Sequence, residues 1–162
     1  GLYCQLLKRT VARLKGEPVP RLVDVDVTLE FLDLSPVGDL SPASAGIPYS
    51  YISEEGLRVG VYRQLAEASD DEDLARLEEE LRDRFGALPD ATRRLLTIGR
   101  LRIRAADHSV RRVETRGRKV MLTGRQDYLT HNGRFPRLKR EGVDEKLDEI
   151  AELVETSETW SK

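Results

Sequence analysis

Between Ser53 and Ala106 apolar residues return at helical spacing three times in succession, which limits the chain to folds where several amphipathic helices share one core. The first pattern sets Leu57, Val61 and Leu65 at i, i+4 and i+8, with Tyr62 and Ala66 widening the stripe. Gly60 weakens that helix locally, by about 1 kcal/mol relative to alanine. The second pattern opens at Ser69, where Glu72 three residues on predicts a capping box, and buries Leu74, Leu77, Leu81 and Phe85. Gly86 is expected to end it in the left-handed conformation, and Pro89 suits the first turn of the next helix. That third helix, about 89–106, is apolar on most of its circumference through Ala91, Leu95, Ile98, Leu101, Ala105, Leu96 and Ile103. Arg93, Arg100 and Arg104 fill the remaining arc as a basic ridge.

The flanking segments follow other rules. Residues 2–15 read as a helix stopped by Gly16 and kept from resuming by Pro18 and Pro20. Residues 22–34 alternate Val23, Val25, Val27, Leu29 and Phe31 with polar neighbours, the period-2 pattern of a half-buried strand. The Ser-, Pro- and Gly-rich stretch 35–46 predicts a mobile loop. A hairpin over 110–122 turns near Arg116–Gly117, a less regular stretch runs to Arg140, and Val143, Leu147, Ile150 and Val154 mark a last amphipathic helix. The end of the chain, 156–162, is expected to fray. The resulting fold class is α+β, with amphipathic helices packed on a small, mainly antiparallel β-sheet, and the 162 residues are expected to form a single domain.

Composition excludes several functions. No apolar run approaches the roughly 20 residues a bilayer span requires, so no membrane association is expected. With one cysteine, Cys4, no internal disulfide is possible; no signal-peptide pattern opens the chain, and a cytoplasmic location is expected. The chain begins "GLYCQLL" without an initiator methionine or a capping residue in its first turn, as expected of a piece cut from a longer protein. Neither a G-x-x-x-x-G-K-[ST] loop nor G-x-G-x-x-G is present to seat a nucleotide's phosphates on backbone amides. His108 and His131 lack further ligands at metal-binding spacing and are expected at the surface, and no serine or cysteine sits in a nucleophile motif. No catalytic residue, metal or cofactor is therefore expected.

Charge is segregated along the chain although the net charge is only −2. Residues 66–90 hold ten acidic and three basic side chains, 91–140 hold fifteen basic and three acidic ones, and 141–162 hold eight acidic and two basic ones. Such blocks either neutralise one another or meet partners. In the acidic helix Glu80 and Asp83, three positions apart, project well away from the leucine seam, with Arg76 and Arg84 each four residues from Glu80 and so placed for intrahelical pairing. From the residues alone they read first as solvated helix surface, with a pair of carboxylates offered to a partner as the second reading. The basic ridge and the 110–140 segment read in two ways as well: as counter-charges for the acidic helices, or as a nucleic-acid contact through Arg93, Arg100 and Arg104.

The words "GLYCQLL" (1–7), "IPYSYI" (47–52), "LRVGVYRQLA" (57–66), "ELRDRFGALP" (80–89) and "LLTIGRLRIRA" (95–105), in this order and spacing, resemble the C-terminal domain of the bacterial transcription-repair coupling factor, Mfd. The likeness covers about residues 1–108. It implies a regulatory, non-catalytic domain of an ATP-dependent DNA translocase that displaces stalled RNA polymerase and recruits excision repair. In that family the C-terminal domain packs on an N-terminal UvrB-like module of the same protein and covers the surface that binds UvrA; RNA polymerase and DNA are met through the rest of the protein. The positions matching the acidic contact residues of the family word are Glu80 and Asp83. Gly60, by contrast, stands where the family carries a larger residue.

Overall fold

The computed structural model describes residues 23–34 and 41–160; the expected helix at 2–15 and Cys4 lie outside them. Four helices, α1 (Glu55–Glu67), α2 (Asp71–Phe85), α3 (Asp90–Asp107) and α4 (Val143–Thr156), pack with strands β1 (Asp26–Thr28), β2 (Arg112–Arg116), β3 (Lys119–Thr123) and β4 (Tyr128–Leu129). The sheet order is β1-β2-β3-β4: β1 runs parallel to β2, and the other pairs are antiparallel. A parallel pair needs a long crossover, and here the crossover contains α1, α2 and α3. The architecture is α+β with a mixed, mostly antiparallel sheet.

Helix α3 is central, touching α1, α2, α4 and β1. Its apolar circumference is thereby explained: Leu96, Ile98, Leu101, Ile103 and Ala105 are all buried. At Gly99 the missing side chain lets Leu74 of α2 and Leu65 of α1 close in, since a Cβ there would lie 3.2 Å from Leu74 Cδ2 and 3.7 Å from Leu65 Cδ2. Leu147, Ile150 and Val154 of α4 and Val113, Val120 and Leu122 of the hairpin complete one continuous core. The hairpin turns at Gly117, whose φ of 57° favours glycine.

Several local expectations are corrected. The predicted strand over 22–34 pairs for only three residues. Val23, Val25 and Leu29 are buried between exposed neighbours as the alternation requires, but Leu32 N–H donates to Leu29 O at 3.2 Å and turns the chain out of the ladder. Within the expected mobile loop, 41–46 is tied down: Ala45 is fully buried, Asp33 exchanges backbone bonds with Ala43 and Ala45, and the buried Thr92 hydroxyl donates to Gly46 O at 3.0 Å. The cap of α2 is Asp70, whose carboxylate accepts from Asp73 N–H at 2.8 Å, and not Ser69. Asp73, one residue past the expected Glu72, completes the exchange by accepting from Ser69 N–H at 2.9 Å. Nor does the end of the chain fray through 160. Residues Ser157–Thr159 continue α4 as a 3-10 turn, Ser157 is buried and Trp160 packs on the core. His108 is half-buried rather than a surface side chain, with Glu158 Oε1 2.9 Å from Nδ1 but outside hydrogen-bond geometry.

Candidate partner interface

Helix α2 is anchored along one edge and at both ends. Leu74, Leu77 and Leu81 form its buried seam, and Phe85 packs half-buried against Tyr51, ring centroids 5.8 Å apart. At its N-terminus burial pushes the Asp73 carboxyl up, but the Ser69 amide and hydroxyl and the Arg76 guanidinium outweigh that and hold it below the ordinary range. At its C-terminus Gly86 has φ 89° and ψ −163°, so the chain leaves in a positive-φ extended conformation open to glycine, in place of the expected left-handed turn. The Tyr51 hydroxyl, reaching from "IPYSYI", directs its proton at Leu81 O (3.1 Å) and Gly86 O (2.8 Å) and so fixes this corner.

The acids of α2 divide by their partners. Glu78, three-quarters buried, forms an ion pair with Arg82 at 2.8 Å through one oxygen and accepts from Arg100 at 2.7 Å through the other, joining α2 to α3. Glu80 points outward with 47% of its side chain exposed; Oε1 meets Arg84 Nη1 at 3.3 Å, and the expected Arg76 contact goes instead to Asp73. Asp83 is exposed, and no ion pair or hydrogen bond from the described residues reaches its carboxylate. Glu79 is exposed beside them. Glu80 also lines a groove between α1 and α2, together with Leu57, Gly60 and Val61 of α1. At 47% exposure, an i, i+4 pair such as Glu80–Arg84 is worth only about 0.3–0.5 kcal/mol and is easily exchanged for another cation. The surface thus presents carboxylate oxygens on a rod held against rotation and sliding.

The three arginines of the α3 ridge are placed differently. Arg93 pairs with Asp90 in its own helix, Arg100 with Glu78 of α2, and Arg104 with Glu155 of α4. Further links between the charge blocks are Arg94–Asp144 at 3.1 Å, Arg118–Glu141 and Arg140–Glu152 at 3.0 Å. Arg94, only 11% exposed, also donates to Ser44 O at 3.3 Å, and Arg102 reaches Val25 O at 3.1 Å while burial pushes its guanidinium below the usual range against Asp26 and Asp24. Sequence reading missed Glu78, Tyr51 and Arg94 as organisers, because their partners lie 22, 35 and 50 residues away.

The class is thereby an α+β domain whose three-helix crossover carries an anchored acidic helix at the surface. The pattern of the TRCF domain family matches residues 41–131, so the chain belongs to that family, the C-terminal domain of transcription-repair coupling factor (Mfd). The transcription-repair-coupling factor of Escherichia coli is 33% identical over 114 residues, 70% of this chain and 9% of that protein. Those of Myxococcus xanthus and Mycobacterium tuberculosis are 30% identical over 128 residues (79% and 10%) and 47% identical over 62 residues (38% and 5%). A crystal structure of the C-terminal domain of transcription-repair coupling factor shares the fold, with a TM-score of 0.62 at 20% identity over 85% of this chain and 94% of that one. The chain thus spans a tenth or less of the length of these curated relatives.

Proposed function

We propose that this chain is a non-catalytic regulatory domain of a transcription-repair coupling factor, and that Glu80 and Asp83 form a latch closing it on a UvrB-like N-terminal module of the same protein. In the closed state the module's UvrA-binding surface is covered; when the latch opens, the surface is released while the parent translocase acts on DNA and stalled RNA polymerase. The observation that carries this reading is the split in α2, where Glu78 is consumed internally while Glu80 and Asp83 face outward from a helix anchored at its seam, its cap and its C-terminal corner. Carboxylates held this way accept short charge-assisted hydrogen bonds from opposing arginines without an ordering cost of their own helix. A coupling of about 1–3 kcal/mol is enough to gate access and is still reversible.

The test is binding of the 162-residue chain to the isolated N-terminal module, with and without charge reversal at Glu80 and Asp83. Competition by UvrA for the module is the functional readout. The alternative of a nucleic-acid contact through Arg93, Arg100 and Arg104 has less support, because each of those guanidiniums already has a carboxylate partner.

A further inference from the structure

The sheet carries a row of cations with no such partners among the described residues. On β2 and β3, Val113, Val120 and Leu122 turn into the core; on the opposite face Met121 is buried too, and the exposed end of that face holds Arg116 and Lys119. Arg116 stands opposite Lys119 in the hairpin register, and Lys119 stands opposite Arg137 in the bridge beyond it. Residues directly opposite project to the same side with Cβ atoms about 4.5–5.5 Å apart. All three are exposed, and among the described residues no ion pair joins them to a carboxylate. Their neighbours are treated otherwise: Arg112 lies 3.8 Å from Asp26, and Arg118 pairs with Glu141. The acids at hand are Glu114, opposite Met121 on the same face, and Glu30, whose Oε2 accepts from Gly117 N–H at 3.0 Å. Like charges in register destabilise a sheet, so the row gives up stability for positive potential.

Aromatic rings adjoin it. Lys119 Nζ stands over Phe135, 5.5 Å from the ring centroid, within cation–π reach, and Tyr128 meets Phe135 edge-on with centroids 5.4 Å apart. Tyr128 is 42% exposed. We propose that this face binds single-stranded nucleic acid, with phosphates along Arg116, Lys119 and Arg137 and a base on the Tyr128 ring. Cations beside an exposed aromatic on a sheet are the combination by which single strands are held, phosphate to charge and base to ring. An acidic peptide would use the charges but not the ring, and a duplex keeps its bases stacked away from it. The surface lies on different elements from Glu80 and Asp83, so the two proposals stand or fall separately.

The experiment is fluorescence anisotropy of a labelled oligothymidylate of about twelve nucleotides with the whole chain, between about 50 and 200 mM salt. Three phosphate contacts predict a log–log salt slope near about −2. The variant Arg116→Gln/Lys119→Gln/Arg137→Gln should stay folded, as relief of the like charges offsets the lost Lys119–Phe135 contact, and bind at least about tenfold more weakly with a slope near zero. Tyr128→Ala should weaken binding several-fold with the slope kept, and Glu80→Arg/Asp83→Arg should not weaken it. Absence of binding at the lower salt, or equal binding by the folded triple variant, would overturn the proposal. So would a matched duplex or polyglutamate bound as tightly as the oligothymidylate, with Tyr128→Ala indifferent.

Discussion

The Tyr51 hydroxyl lies 2.8 Å from the Gly86 carbonyl oxygen, across 35 residues of chain, and that contact sets the angle at which the acidic helix ends. Removing the hydroxyl leaves the Leu81 and Gly86 carbonyls short of a donor. Tyr51→Phe is therefore expected to cost about 1 kcal/mol, read as a lower urea midpoint with an unchanged m-value. Burial raises the Tyr51 pKa above its ordinary value of 10.0, against a smaller opposing pull from Arg82. The neutral phenol is then the folded form, so its contribution is intact below pH 10.0 and lost as pH rises through the higher folded value. Tyr51→Phe should flatten the alkaline limb of stability against pH.

Two glycines should respond in opposite directions to alanine. A Cβ added at Gly86 would meet nothing within 4 Å, so Gly86→Ala tests backbone strain alone and should cost about 1–3 kcal/mol. Gly60 lies inside α1, also with nothing within 4 Å, and Gly60→Ala should stabilise by up to about 1 kcal/mol. Thermal or urea unfolding of the two variants side by side checks both signs.

Arg93 and Arg94 are adjacent in sequence and unequal in role. Arg94 is 11% exposed and bonds both Ser44 O and Asp144, whereas Arg93 is 61% exposed and, among the described residues, pairs within its helix. Arg94→Ala is expected to cost about 1.5–3 kcal/mol and Arg93→Ala less than about 0.5 kcal/mol. Equal losses in equilibrium unfolding would contradict the placement of Arg94 as the tie between the 41–46 segment and α4.

Asp73 predicts the acid limb. Burial raises its pKa, but the Ser69 amide and hydroxyl and Arg76 lower it further, to a net value below 3.8. A depressed folded pKa means the contribution is present above 3.8 and is lost as pH falls through the lower folded value. Asp73→Asn should lower stability at neutral pH and reduce its slope against pH in that acid window, measured by urea unfolding at a series of pH values.

The helices were legible in the sequence because burial imposes a period on each: the Leu74, Leu77, Leu81 seam and the Leu147, Ile150, Val154 seam are local patterns with local causes. The hairpin was legible for a similar reason, through Gly117. Details failed where several residues compete for one task. The run of Ser69 and four acids offers more than one cap, and Asp70 takes it because Asp73 can reach back to Ser69. The alternation of Val23 to Phe31 reports which side is buried and not how long the pairing lasts, so the turn at Leu29–Leu32 left no mark in it. At the site, outward projection of Glu80 and Asp83 followed from angle alone. What separates them from Glu78 is Arg100, 22 residues on in another helix, and no pattern within α2 encodes it.

The measurement that bears most directly on the latch is the affinity of the 162-residue chain for the matching N-terminal UvrB-like module, by calorimetry, for the parent and for Glu80→Arg/Asp83→Arg. A latch at these two carboxylates predicts that the variant melts within a few degrees of the parent and binds at least about tenfold more weakly, the equivalent of about 1.4 kcal/mol or more. Equal affinity of the two chains, with both folded, would contradict it.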